Sequence, residues 1–321
     1  MKIMKISIVQ PSFNHYRESF YVKLNKYIDF DLLEYYHHDE KEAFNISTKI
    51  KTNKLNTISF GGFTLFNIFN KKLLKNKIIV IGFDPRCLSL YALLILNLFL
   101  RKKIILWTHG VSIHNGFNPK SFRDQIKISL FNLADGICFY TNNELELFSE
   151  YLHKPETFYI NNTLDVEKIN KNYRKLHKSK EELKKTYNIN SSRVVIFCAR
   201  FIEDRRADIL IEFIESMSNK DVSFIIIGDG VHKPDFSNYD KVFDFGKIYD
   251  EDKKSELFKI ADFCFQPAWS GLSVLESFAH EVPFITMKKS QNIKQCVEYN
   301  YIEHGKNGFI FESLNDVKEL V

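Results

Sequence analysis

The feature that most limits how this chain can fold is a set of short runs, apolar on both faces, that alternate with amphipathic stretches. Residues 77–83 (KIIVIGF), 103–107 (KIILW), 136–140 (GICFY), 194–198 (VVIFC) and 223–227 (SFIII) offer no polar side to solvent. Strands of this kind are stable only when both faces are covered, the condition of a parallel sheet flanked by helices. Residues 261–286, ADFCFQPAWSGLSVLESFAHEVPFIT, carry the whole pattern in one unit. Residues 262–266 form a short apolar run, 267–271 break it, 272–279 have helical spacing, and Pro283 restarts an apolar run. A turn at the carboxyl end of a strand, opening into a helix N-terminus, leaves backbone N–H groups unpaired and favours an anionic ligand.

With 321 residues, 45% of them hydrophobic, the chain is long enough for two ordinary domains. The alternation runs in two series. The first has strands at 5–10, 30–36, 77–83, 103–107, 136–140 and 158–160, with a loop from Pro11 to Arg17, a charged loop at 37–42 and a helix at 87–100. Thr141 and Glu144 read as a capping box that opens a further helix. Residues 171–193, polar and basic, read as an interdomain connection. The second series runs from 194–198 through a helix at 207–217, strands at 223–227 and 242–245, and a helix at 251–260 capped by Asp250, to 261–286. The expectation is an α/β protein of two similar domains in tandem, 1–170 and 171–321. Residues 312–321 read as the first turns of a helix, so the C-terminus is expected to be truncated.

After Phe60-Gly-Gly-Phe63, residues 64–77 set Leu65, Phe66, Ile68, Phe69, Leu73 and Leu74 beside Lys71, Lys72, Lys75 and Lys77. The spacing predicts a helix. A core-facing helix with a solvated basic tail is the commoner case, and a helix lying on a membrane surface is the alternative. The longest apolar run, 87–100, falls short of the roughly 20 residues a spanning helix needs, so no membrane span is expected. No secretory signal is read, and five widely spaced cysteines without a CxxC pair read as reduced core residues of a cytoplasmic protein. Charge is uneven: 22 basic against 16 acidic residues up to Asn170, and 23 against 24 beyond it. That excess is too small for a nucleic-acid binder but suits a phosphate-bearing substrate or an anionic membrane surface.

Three groups of residues have the chemistry of a site. In the first, Ser270-Gly271-Leu272-Ser273, the glycine lets backbone approach an anion and the following N–H groups face it. Glu276, one turn inside the helix, can accept from a ribose hydroxyl pair; the same Ser273-x-x-Glu276 spacing is also a capping box, and the two readings weigh equally. In the second, Arg200 and Arg205 can clamp a diphosphate through short charge-assisted bonds. Arg205 and Arg206 can also be solvated or paired with Glu203 and Asp204, the usual fate of a mixed charge run. The third is His109, directly after a strand, able to donate to a ligand hydroxyl or a leaving oxygen; a structural histidine fits almost as well. His15 and His114 are weaker candidates. Asp244-Phe-Gly246, Gly228-Asp-Gly230 and Asp29-Phe-Asp31 lack the rest of the kinase, dinucleotide and metal motifs they match, and no zinc spacing occurs.

In order and spacing, several segments resemble the retaining nucleotide-sugar glycosyltransferases of family 4, the group 1 glycosyltransferases. They are ARFIEDRRADILIEF (199–213), FIIIGDG (224–230), Phe245-Gly-Lys247, Ala261-Asp262, GLSVLESFA (271–279), Val282-Pro283 and HGKNGF (304–309). Upstream the likeness is looser, in Asn14-His-Tyr-Arg17, Trp107-Thr-His-Gly110 and NNTLD (161–165). The resemblance implies the GT-B architecture, two Rossmann-like domains facing across a cleft, the first binding the acceptor and the second the nucleotide sugar. Under it Arg200 and Arg205 match the diphosphate-binding pair and Glu276 the ribose-binding glutamate. Ser270, Gly271, Leu272, Ser273, Lys247 and Ile248 complete the donor site. His109 is similar to the catalytic-site histidine that contacts the transferred sugar, and Asn14, Tyr16 and Arg17 fall on the acceptor side. Also implied are transfer with retention and no metal or other cofactor; the basic first half and residues 60–77 add the expectation of a glycan or lipid-linked acceptor in cell-surface polysaccharide or glycolipid synthesis, and of a cytoplasmic protein in peripheral contact with an anionic membrane face. One position departs: where the family commonly carries a second glutamate, eight residues before Glu276, this chain has Ala268. That keeps open a catalytically degenerate nucleotide-sugar-binding or scaffold protein and, as a third expectation, a nucleotide-sugar epimerase.

Overall fold

The computed structural model describes residues 5–36, 49–100 and 102–321; the charged loop expected at 37–42 lies outside them. The chain divides into two compact units, Met1–Asn162 and Thr163–Val321. The boundary expected after Asn170 instead falls inside a helix, Val166–Arg174. Residues 171–193 are not a bare connection either, because this helix and the next, Lys180–Thr186, pack onto the second unit with Ile169 and Leu183 buried. Their polar, basic composition belongs to the solvent face of short amphipathic helices.

In the first unit the strands are β1 (Ile6–Gln10), β2 (Phe30–Glu34), β3 (Thr52–Lys54), β4 (Thr57–Phe60), β5 (Phe63–Phe66), β6 (Ile78–Gly82), β7 (Lys103–Thr108), β8 (Gly136–Phe139) and β9 (Glu156–Tyr159). Its helices are α1 (Glu18–Leu24), α2 (Lys71–Lys75), α3 (Leu88–Leu100), α4 (Phe122–Phe131) and α5 (Asn142–Ser149). Seven strands form one parallel sheet in the order β3-β2-β1-β6-β7-β8-β9. Thr141 is the N-cap of α5, but its hydroxyl bonds the Glu144 carboxylate rather than a helix amide, so the expected capping box does not form.

The helix expected over 64–77 is absent. Residues 57–66 are an antiparallel hairpin, β4 against β5, and only Lys71–Lys75 is helical. Gly61 and Gly62, both with positive φ, join the strands in two residues, as the turns that follow a hairpin's right-handed twist require. The alternation of Thr57-Ile-Ser-Phe60 against Phe63-Thr-Leu-Phe66 therefore outweighs the helical spacing of the apolar residues.

The second unit contains β10 (Arg193–Cys198), β11 (Val222–Ile227), β12 (Val242–Asp244), β13 (Phe263–Phe265), β14 (Phe284–Met287) and β15 (Gly308–Phe311). Around them lie α6 (Val166–Arg174), α7 (Lys180–Thr186), α8 (Ala207–Ser216), α9 (Glu251–Ile260), α10 (Leu272–Ala279) and α11 (Leu314–Leu320). The sheet is parallel with order β12-β11-β10-β13-β14-β15. Successive residues of β10 feed opposite faces: Val194 and Ile196 join the cluster under α9 and α10, while Val195 and Phe197 join the one under α8. Burying one such side chain contributes roughly 1.5–3 kcal/mol, so a strand with both faces covered is strongly held. The strand order reverses between β10 and β13, and ligands of open α/β sheets bind beyond the carboxyl ends at such a reversal.

Candidate functional site

Both groups of residues expected to face an anion in the second unit leave the sheet at this reversal. Arg200 and Arg205 follow β10, and the turn at 267–271 follows β13. Beyond β10 the chain runs on beside residues 228–230, with Ala199 N–H donating to the Ile227 carbonyl and Phe201 N–H to Asp229. This approach demands glycine. A Cβ at Gly228 (φ +146) would stand 1.9 Å from the Ala199 carbonyl oxygen, and one at Gly230 (φ +152) 2.1 Å from that of Phe201. The Gly-Asp-Gly word is thus a positioning device for the arginine loop, a role the dinucleotide motif could not reveal.

Arg200 is exposed. Arg205 is different: its Nε and Nη1 atoms are buried and find no hydrogen-bond partner among the described residues. Its surroundings include Cys198, Cys264 and Cys296, and desolvation lowers its proton affinity from the ordinary arginine value. A desolvated guanidinium without a carboxylate is costly unless an anion completes it. Glu203 and Asp204 do not take this role. Arg206 pairs instead with Asp208, at 2.6 Å, and donates to the Asn292 carbonyl. The mixed charge run therefore splits, Arg206 to structure and Arg205 toward the crevice end of the sheet.

The turn after β13 is held from below by two buried glutamines that sequence reasoning missed. Gln266 donates to the carbonyls of Ala268 and Trp269 and accepts from the Ser273 hydroxyl. Gln295 accepts from Ser270 N–H at 2.8 Å and donates to Thr286 Oγ1 and the Met287 carbonyl. Ser270 Oγ lies 3.0 Å from Thr286 Oγ1. The hydroxyls of Ser270 and Ser273 are accordingly committed inward, so from these two residues only backbone can face a ligand. Gly271 is the N-cap of α10 and no side chain caps it, so the amides of Gly271, Leu272 and Ser273 keep the free valence of a helix start. Trp269, in the turn, sits at φ +53, a left-handed conformation that costs a bulky residue about 1–3 kcal/mol. The signal for Gln266 was there: a glutamine ending a fully apolar strand must be bonded internally.

Glu276 forms no capping box. Its carboxylate pairs with Lys254 Nζ of α9 at 2.5 Å, both side chains being largely buried, and Cys198 Sγ lies 3.9 Å away. Burial lowers the proton affinity of Lys254, yet the Glu276 charge outweighs it and raises the pKa above the ordinary lysine value. His280, at the end of α10, bonds Ser255 and the Glu276 carbonyl and stacks on Phe258 at 4.3 Å, tying α10 to α9. Lys247 is exposed, 3.2 Å from Asp229, and Ile248 packs against the core cluster under α9.

In the first unit, Asn14, Tyr16 and Arg17 lie beyond β1, next to the reversal between β1 and β6. Arg17 brings three expected residues together. Its guanidinium lies 4.8 Å from the Trp107 ring and 5.5 Å from that of Tyr16, and donates to Tyr140 Oη at 2.6 Å. His109 stacks on the same Tyr140, 4.1 Å between ring centroids. Crowding of the ring, and then the Arg17 cation, hold the His109 pKa down at about 4. Because the ring keeps exposed surface, the cation is the firmer of these causes. His109 is therefore neutral near pH 7. Tyr140 was not anticipated; its signal was an aromatic directly after a buried strand.

Residues 192–321 match the family model described as Glycosyl transferases group 1. No curated protein sequence matches the chain. Among solved structures, Anabaena Alr3699/HepE in complex with UDP superposes with a TM-score of 0.62 at 14% identity, over 99% of this chain and 88% of that one. The pneumococcal O-GlcNAc transferase GtfA in complex with UDP and GlcNAc gives 0.64 at 11%, over 100% and 91%. The UDP-GlcNAc 2-epimerase from Methanocaldococcus jannaschii gives 0.59 at 14%, over 98% and 91%. At such identities the likeness is one of fold, the GT-B architecture of two α/β units, which transferases and an epimerase share.

Proposed function

We propose that this chain, whose residues 192–321 form a group 1 glycosyl transferase domain, moves a sugar from a nucleoside-diphosphate donor to an acceptor hydroxyl. The observation that carries the reading is Arg205, a desolvated and unpartnered cation at the sheet reversal, with Arg200 on the same loop and the free amides of α10 on the neighbouring strand end. The arginines neutralise the diphosphate and the charge that grows on it as the glycosidic bond to its oxygen breaks. Amides of Gly271, Leu272 and Ser273 bind phosphate oxygens, and Glu276 accepts from the ribose hydroxyls. Neutral His109 hydrogen-bonds the transferred sugar without adding charge. The acceptor hydroxyl attacks the anomeric carbon from the face the diphosphate leaves and passes its proton to the departing phosphate oxygen, so configuration is retained. Two arginines serve the diphosphate where other enzymes use a metal ion. Asn14, Tyr16 and Arg17 belong to the acceptor side, and the acceptor is a glycan or lipid-linked glycan of a cell-surface polymer.

The test is a panel of UDP-, GDP- and ADP-sugars with an acceptor extract, followed by Arg200→Ala. Donor turnover should be lost while the fold survives; unchanged turnover would sink the assignment. Ala268 favours a second reading, binding without transfer: it is fully buried in the turn, its carbonyl held by Gln266, and presents no carboxylate to a sugar. Tight binding with no turnover on any acceptor would establish that reading, whereas donor conversion without acceptor would establish an epimerase.

A further inference from the structure

The hairpin β4–β5 has one face committed to the fold and one face left bare. On the inner face Thr64 N–H donates to the Arg86 carbonyl, while Ser89 Oγ accepts from Phe66 N–H and donates to its carbonyl, so the hairpin is seated firmly. On the outer face the register sets Ile58 opposite Leu65 and Phe60 opposite Phe63. These four are 69%, 36%, 52% and 44% exposed, and Phe69, just beyond β5, is 69% exposed. A clean hairpin alternates apolar-in with polar-out, and this one keeps Phe66 inside but turns Ile58, Phe60, Phe63 and Leu65 outward. Contiguous apolar surface on a rigid element marks a place of contact.

The segments that flank the hairpin in the chain are basic. From Lys49 to Arg123 the sequence holds 13 Lys and Arg residues and a single acidic one, Asp84. Lys51, Lys54, Lys71, Lys75 and Lys77 are exposed and have no acidic partner among the described residues. Asp84 accepts from Tyr36 Oη and Arg86 N–H. Lys102 donates to the carbonyls of Leu74 and Asn76, which ties the segment after α3 to the end of α2, the helix that carries Lys71 and Lys75. We propose that this face docks the protein on an anionic lipid bilayer, the Phe60-Gly-Gly-Phe63 tip entering the headgroup layer and the lysines meeting lipid phosphates. A second copy of the chain is the poorer occupant. Isologous pairing of the hairpins would bring the flanking lysines of two copies toward one another, and like charges oppose association. The surface lies wholly within the first unit, so the proposal stands or falls apart from the donor site in the second.

The full chain should co-sediment with vesicles of phosphatidylcholine and phosphatidylglycerol and stay in solution with phosphatidylcholine alone. Because each lysine near an anionic surface is worth about fivefold in partitioning, Lys71→Glu with Lys75→Glu should weaken binding by more than about tenfold. Phe60→Ser with Phe63→Ser should weaken it comparably, with circular dichroism unchanged because both rings are exposed. Phe60→Trp supplies a measurement without loss of apolar surface: its emission should shift blue on the anionic vesicles and be quenched by brominated lipid. Equal partitioning onto neutral and anionic vesicles, or an emission unmoved by lipid, would overturn the proposal. So would a wild-type dimer that the serine pair disperses and that ignores vesicles, since the face would then be a self-association surface.

Discussion

Arg205→Met separates a binding arginine from a structural one, because the two roles predict opposite changes in stability. Methionine keeps an apolar stem of similar length and removes the guanidinium. Two buried N–H groups, Nε and Nη1, go unsatisfied in the free protein, and each such group costs about 1–3 kcal/mol. Removing both should stabilise the unliganded protein by about 2 kcal/mol. Binding should move the other way: two charge-assisted bonds to a diphosphate, at about 1.5–3 kcal/mol each, amount to roughly 10²–10⁴ in Kd. Urea unfolding with and without UDP or GDP reads both effects together. At a nucleotide concentration about 100 times Kd the wild type gains about 2.7 kcal/mol, and a variant bound 100-fold more weakly gains about 0.4 kcal/mol. The expected result is a higher midpoint without nucleotide and a nearly vanished shift with it. An Arg205→Met protein that is less stable than wild type and keeps the full nucleotide shift would refute the reasoning.

Lys254→Met should cost about 3 kcal/mol, because it strands the Glu276 carboxylate of a largely buried pair, and Glu276→Gln in the same chain should recover part of that loss in urea unfolding. Since the folded pKa of Lys254 is raised, its contribution is fully present below the ordinary lysine value of 10.5 and is lost as pH rises beyond it, so wild-type stability should fall more steeply in alkali than that of the double variant. The His109 pKa is held below the ordinary 6.5, so the ring contributes stability above pH 6.5 that is lost as pH falls; its NMR titration midpoint should lie below 6.5 and should rise in Arg17→Gln. Gly228→Ala should destabilise by about 3 kcal/mol or more, since its Cβ cannot stand 1.9 Å from a carbonyl oxygen, and thermal melting of the second unit reads the loss.

What the sequence could and could not disclose follows from how each feature is encoded. β10 and β11 were legible because a strand buried on both faces writes itself as a continuous apolar run, and α9 was legible because Asp250 accepts from two amides of its first turn. The hairpin at 57–66 was misread because four residues per strand satisfy a helical spacing as easily as an alternating one, and only Gly61-Gly62 distinguishes them. At the site the failure has another cause. Spacing named Arg200, Arg205 and Glu276, but spacing carries no information on what lies across the sheet. Lys254 comes from α9, Gln295 from a loop beyond β14, and the Gly228 segment from the end of β11, each brought in by strand order rather than by neighbourhood in the chain. The Arg205 and Arg206 pair shows the consequence most directly. Side by side in sequence and chemically alike, they part because φ +54 at Arg206 turns its side chain to Asp208 and Asn292, while Arg205 is left desolvated beside three thiols. A charge run read from sequence is one feature; folded, it is two, and only the member without a partner has chemistry left to offer a ligand.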